Sequence, residues 1–423
     1  MKKPWIVIII IIIVICLLYF ISNLILNQKI NETVLTLKNS GYATKFSEIK
    51  PKPDIAGKRA AKLLTDAYQT MKIDDKTARN MAAQQHDLAD SLNYEENPQI
   101  FKKIVDDNQK VINLLLAAAQ YPTADFDFKY EDGLAAQIPT PVGNLHNFCR
   151  LLRIYAKNLA GEGKPDEALN VLRLDAKLSF ILSDHVLLFH LIKALALDKT
   201  LNLIQKFSNQ GGIAKLESLA TTIDKINVRA SFTRATEAEM VMWQYIFSGG
   251  KKLEDNVFGS GMLLTPRQRF LLFLAKLSPV KKYTQLRLLN LMKKEILLTR
   301  LPYYQAEKDW NALEESIKKP GAFSSLEVLF IPNLKLIVIR TEHLEAKRNI
   351  TLLGLKTIIR KKQTGKLPKT LNDIVEKVPA DPFNGKDYVY QTLPDGCLIY
   401  SVGKDGLDDS GDAKKDIVWK VKI

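Results

Sequence analysis

The sequence predicts a mostly α-helical chain with one N-terminal transmembrane helix and a small C-terminal α+β domain. Three observations carry this. Residues Trp5 to Ile21 are apolar without a break, apart from the Tyr19 hydroxyl. Through the middle, apolar residues recur at three- and four-residue steps, the period of one helix face. Near the end, two short runs, Tyr388–Gln391 and Cys397–Val402, flank a Pro394–Asp395–Gly396 turn, which is how a β-hairpin is written. The length of 423 residues leaves room for more than one domain. Expected boundaries are an anchor at 1–28, a linker at 29–53, a helical domain at 54–330 and an α+β tail at 331–423.

Trp5–Leu26, at about 1.5 Å per residue, covers about 33 Å, enough for the hydrocarbon core of a bilayer. Lys2 and Lys3 precede the run, and beyond it only Lys29 is basic before Lys38. By the positive-inside rule the short N-terminus stays in the cytoplasm and everything after Asn27 is exported. A cleavable signal peptide has a shorter apolar region ending in a small-x-small site. Here the run exits through Ser22-Asn23-Leu24-Ile25-Leu26-Asn27 with no Ala-x-Ala, and Val14–Ile15 precede Cys16 where a lipoprotein signal needs small residues. The expectation is an uncleaved signal anchor: a single-pass protein of the inner (cytoplasmic) membrane with its bulk extracytoplasmic.

Residues 54–120 predict two or three amphipathic helices. Ile55, Ala56, Ala60, Leu63, Leu64, Ala67, Tyr68 and Met71 form one stripe; Asn97–Pro98 opens the next helix, and Tyr121–Pro122 closes the series. From Asn144 to Phe207 comes the clearest helical pair. Its first helix ends at Gly161-Glu162-Gly163 and its second begins at Pro165–Asp166. The joint is tetratricopeptide-like, without a neighbouring repeat at the 34-residue spacing a solenoid needs. Residues 263–300 are apolar but interrupted by charge, so a second span is not expected; burial in the domain is expected, with a membrane-facing amphipathic helix as the alternative.

Few residues in this region suggest chemistry. His185 and His190 are five apart, against four in a zinc-binding helix, which misplaces them by about 100°. Glu237 and Glu239, two apart, point to different sides of a helix and serve as an acid/base pair only with help from elsewhere. Three cysteines make no disulfide framework; Cys16 lies in the apolar run, so only Cys149 and Cys397 could pair. Lys and Arg outnumber Asp and Glu by 61 to 46, a net charge of +15. The surplus is spread along the chain without interleaved aromatics, so no nucleic-acid partner is expected.

In the tail, Asp405, Asp408, Asp409 and Asp412 fall on the loop between Cys397–Val402 and the closing Ile417–Val418–Trp419. Carboxylates so close repel unless water or a cation separates them. The spacing is not that of an EF-hand, which fails at Leu407 and Ser410.

The order of motifs from about residue 331 resembles the globular part of type II secretion pseudopilins of the major, G type. The residues carrying the likeness are Gly365–Leu367–Pro368 after a long helix, Asp381–Pro382–Phe383, Tyr388, Tyr400-Ser401-Val402-Gly403-Lys404-Asp405-Gly406, and Asp416-Ile417-Val418-Trp419. It covers roughly the last 65–90 residues. The N-terminus departs from that family, lacking the processing glycine and the glutamate five residues into the span, so assembly into a pseudopilus is not implied. The pairing of anchor, helical middle and this tail also looks like that of large bacterial envelope proteins. The resemblance implies a structural Ca2+ held by Asp405, Asp408, Asp409 and Asp412, with Asp416 and the Ser401 or Leu407 carbonyls as further donors.

The expectation is a membrane-anchored extracytoplasmic interaction or scaffold protein, non-catalytic, with protein partners in the envelope and an open oligomeric state. Two alternatives stand beside it. One is a component of a type II secretion or pilus-like machine; the other is an envelope hydrolase using Glu237, Glu239 or His185.

Overall fold

The computed structural model describes residues 4–50, 52, 54–71, 93–129, 138–183, 186–248, 266, 273, 278–318 and 334–422. Helix α1 (Pro4–Asn39) is a single rod with two characters. Large apolar side chains from Trp5 to Ile25 are exposed all round, as on a helix meant for lipid. Beyond them Ile30 and Leu37 are buried and Val34 is packed beside them. Residues 29–39, expected to begin a linker, therefore continue the helix. The spacing of Ile30, Val34 and Leu37 explains why: they form one stripe, and it lies against α10 (Ser278–Thr299). Ser278 Oγ also donates to Asn23 Oδ1. The rod stops in a Schellman motif. Tyr42 N–H donates to Leu37 O at 3.1 Å and Gly41 N–H to Lys38 O at 3.0 Å, with Gly41 at φ +77°. Among the described residues this is the one helix long and apolar enough to cross a membrane.

The body is helical, as the periodicity predicts. Helix α2 (Ile55–Thr70) starts at Asp54, whose carboxylate accepts from Ala56 N (3.0 Å) and Gly57 N (2.9 Å). Its buried face is Gly57, Ala60, Ala61, Leu64 and Ala67, and Ile55 and Tyr68, expected on that stripe, are exposed. It packs on α4 (Gln109–Ala118), which is separated from α3 (Pro98–Asp107) by the buried Asn108. The Asn108 side chain donates to Ile104 O at 3.0 Å, which offsets the interruption of the helical ladder. Helices α5 (Leu145–Gly161) and α6 (Pro165–Ser179) form the expected hairpin, and α7 (Leu187–Phe207) lies on both. Helices α8 (Ile213–Asp224), α9 (Val228–Ser248) and α11 (Tyr303–Lys318) complete this part.

The long helix α12 (Leu334–Thr364) follows. It packs on α7, α8 and α9, and also on the terminal sheet. Packing therefore runs unbroken across the boundary expected at 330/331. The sheet has three antiparallel strands in the order β1 (Val389–Leu393), β2 (Gly396–Ser401), β3 (Ile417–Lys422). Leu393 pairs with Gly396 across a two-residue turn, and Ser401 pairs with Ile417. Central strand β2 is buried at all positions but Leu398.

Gly354 of α12 faces the indole of Trp419 in β3, where an added Cβ would lie 1.9 Å from the ring. In an open helix, replacing glycine raises helix propensity by up to about 1 kcal/mol. Here overpacking dominates, and Gly354→Val should lose about 1–3 kcal/mol, seen as a lower urea midpoint. Adding Trp419→Leu should restore part of the loss in a double-mutant cycle; strict additivity would show that the two residues do not touch.

Candidate functional site

The loop joining β2 to β3 carries the five predicted carboxylates and is built outward from a buried one. Asp381, in the Asp-Pro-Phe motif, is fully buried. Its Oδ1 accepts from Phe383 N at 2.9 Å and its Oδ2 from Val402 N at 3.1 Å, which pins that turn to the end of β2. The chain then turns at Gly403 (φ +70°), where a Cβ would lie 2.3 Å from Lys415 O. Lys415 and Asp416 donate their N–H groups to Asp412 O at 2.9 and 2.8 Å, closing the loop's far end.

Each carboxylate has a distinct setting. Asp405 Oδ1 accepts from Leu407 N (3.2 Å) and Asp412 Oδ1 from Lys414 N (3.0 Å), both at the exposed rim. Asp408 Oδ1 accepts from the Tyr400 hydroxyl and from Ser410 N, each at 2.9 Å. Asp409 Oδ1 meets Lys415 Nζ at 2.6 Å. Asp416 is buried, and its Oδ2 accepts from Gly411 N at 2.8 Å. Two buried oxygens, Asp409 Oδ2 and Asp416 Oδ1, have no hydrogen-bond partner. Burial holds the Asp416 carboxyl above the usual range, the Asp409 and Asp408 charges add to this, and the Gly411 and Asp409 amides oppose it. Burial raises Asp381 likewise. Among the described residues no three His, Cys, Asp or Glu side chains converge as a ready metal cage. The two unpartnered oxygens are hard donors of the type a divalent cation takes.

The helical candidates are dispersed. Glu237 meets Arg300 Nη2 at 3.1 Å, and the Arg300 guanidinium lies 4.2 Å over the Tyr42 ring, so this glutamate helps join α9 to the segment after α1. Glu239 points elsewhere and is pushed up to about 7 by burial, with the Leu187 amide and Trp243 opposing. His190 is buried, its Nδ1 3.2 Å from Ser231 Oγ and its Nε2 3.0 Å from Thr341 Oγ1. It thereby bridges α7, α9 and α12. His185 and most of residues 263–277 lie outside the described residues. Cys149 and Cys397 are buried free thiols and are not paired with each other.

Several buried ionisable groups escaped the sequence reading, Asp175 and Glu295 among them. Asp175 accepts from Thr200 Oγ1 at 2.6 Å and lies 4.0 Å from the equally buried Arg153; burial pushes it up to about 6 against the pull of that arginine. Glu295 lies on the buried face of α10, and burial alone pushes it up to about 8. Its signal was a lone acid in step with Leu288 and Met292. No family model, curated protein or solved structure matches the chain.

Glu295 gives a pH dependence with a definite sign. Below its ordinary value of 4.5 it is neutral in both the folded and unfolded states. Between 4.5 and about 8 the unfolded chain releases the proton while the folded chain keeps it, so stability falls as pH rises. Glu295→Gln should melt close to wild type at pH 5 and well above it at pH 8. At 1.36 kcal/mol per pKa unit the gain is of the order of several kcal/mol. Parallel melting curves for the two proteins across that range would contradict this.

Proposed function

We propose that the chain is a membrane-anchored scaffold of the bacterial envelope, acting by interaction and not by catalysis. Its anchor is α1, with the N-terminus in the cytoplasm and the bulk extracytoplasmic, as the lysine asymmetry around Trp5–Leu26 favours. The observation that carries this reading is the two-faced rod: one helix exposes apolar residues all round and then buries Ile30 and Leu37 in the body. Such a junction presents the body to partners at a set distance from the membrane. The tetratricopeptide-like hairpin of α5 and α6 supplies one partner surface.

The pseudopilin-like tail, with α12 leading into a three-stranded sheet, supplies a second module, and it supports a second reading as part of a secretion or pilus-like machine. In both readings Ca2+ takes a structural place in the acidic loop. Asp409 and Asp416 offer the buried oxygens, with Asp405, Asp408 and Asp412 at the rim. The ion would neutralise repulsion and fix the loop; none of these residues is placed to do chemistry on a substrate.

Fusing alkaline phosphatase to the C-terminus should give an active enzyme, and activity only from a cytosolic reporter would overturn the assigned orientation. Calcium should raise the melting temperature of the detergent-solubilised chain, by an amount equivalent to about 2.7 kcal/mol at a hundredfold excess over Kd. Asp416→Asn should remove that shift. An unmoved melting curve at millimolar calcium would eliminate the metal site while leaving the anchor intact.

A further inference from the structure

Four cations meet in one cleft. A cleft of about 900 Å³ opens between α6, α8 and the start of α9, and Arg173, Lys177, Lys225 and Arg234 line it. Its described lining includes no Asp or Glu. The neighbouring cleft between α8 and α12, about 460 Å³, shares Thr221 and Lys225 with it and mixes Glu217, Asp224 and Asp373 with its cations. At α12, by comparison, Arg229–Glu342 and Lys347–Asp198 pair across helices at 2.6 Å each; in the cleft the Arg234 charge acts on Glu237.

Arg173 and Lys177 are one helical turn apart on α6 and half-buried. Arg173 Nε and Nη2 are held by Asn170 Oδ1 at 3.3 and 3.0 Å, which orients the guanidinium without neutralising it. Burial lowers the Lys177 ammonium below its ordinary range, and the Arg173 and Lys225 charges lower it further. Like charges packed this way are destabilising in the empty protein. Hydroxyl donors are present on the same wall, with Ser218 among them, and Tyr121 and Phe180 add aromatic surface.

We propose that this cleft binds a phosphate ester, the phosphate held by Arg173, Lys177 and Lys225 and the organic part against Tyr121 and Phe180. A guanidinium matches two phosphate oxygens at once, and an ammonium adds a compact charge. The apolar wall favours an ester over the bare ion. The ester could be a soluble metabolite or a lipid headgroup; the recognition chemistry is the same.

The test uses the full chain in phosphatidylcholine nanodiscs, titrated calorimetrically at low ionic strength with inorganic phosphate and with glycerol phosphate. Saturable binding of both is expected, tighter for the ester. Lys177→Met should weaken it at least tenfold, and without ligand this variant should melt no lower than wild type because a repulsion has been removed. Lys225→Met, at an exposed position, serves as a second probe and should also weaken binding. Replacing a third of the lipid with phosphatidylglycerol separates the sources: apparent phosphate affinity falls if headgroups of the host bilayer reach the cleft, and is unchanged if the ligand is soluble. No saturable binding below about 10 mM, or binding undiminished in both variants, would overturn the proposal.

Discussion

The arrangement depends on α12 being packed on two sides. One face meets α7, α8 and α9, where Glu342 receives Arg229 through both carboxylate oxygens (2.8 and 2.6 Å) and Thr341 meets His190. The other face meets the sheet, where Gly354 leaves room for the Trp419 indole and Asn349 donates to the Tyr388 hydroxyl at 3.1 Å. The polar contacts set the rotation and register of the helix, because a slip would leave buried charge without its partner. Apolar burial by Leu344, Ile350, Leu353 and Ile358 supplies the driving force. The terminal sheet is thus bound to the helical body through a common core.

The same logic operates at the other end of the chain. A transmembrane helix joined to its domain by a flexible linker leaves the domain free to tumble. Here the rod buries its own continuation against α10, and Arg300 beyond α10 stacks on Tyr42 just past the end of α1. Among the described residues, the continuation of α1 and the terminal strands are both fastened to the helical body by buried contacts.

Much of this architecture was legible in the sequence because it rests on local pattern. The long apolar N-terminal helix, the α5–α6 hairpin with its Pro165 start, and the strands around Pro394–Asp395 follow from composition, periodicity and turn chemistry. Residues 29–39 were misjudged because three polar residues follow Leu26, although Ile30, Val34 and Leu37 already carried helical spacing. The two-sided role of α12 could not be read, since amphipathicity shows that a face is buried and not what covers it. In the acidic loop the carboxylate cluster was visible, yet only folding distinguishes buried Asp416 from exposed Asp405 and Asp412. The basic cleft draws its cations from α6, α9 and the residue that caps α8, so nothing in linear order brings them together.

Because α12 is shared, the helical body and the sheet should open together. Native-state hydrogen exchange on the full chain in detergent measures this directly. The buried amides of α7, α12 and β2 should exchange at one common free energy and respond to denaturant with one common slope. If β2 and β3 stayed protected after α7 and α9 had exchanged, the sheet would be an independent domain and the shared core would be refuted.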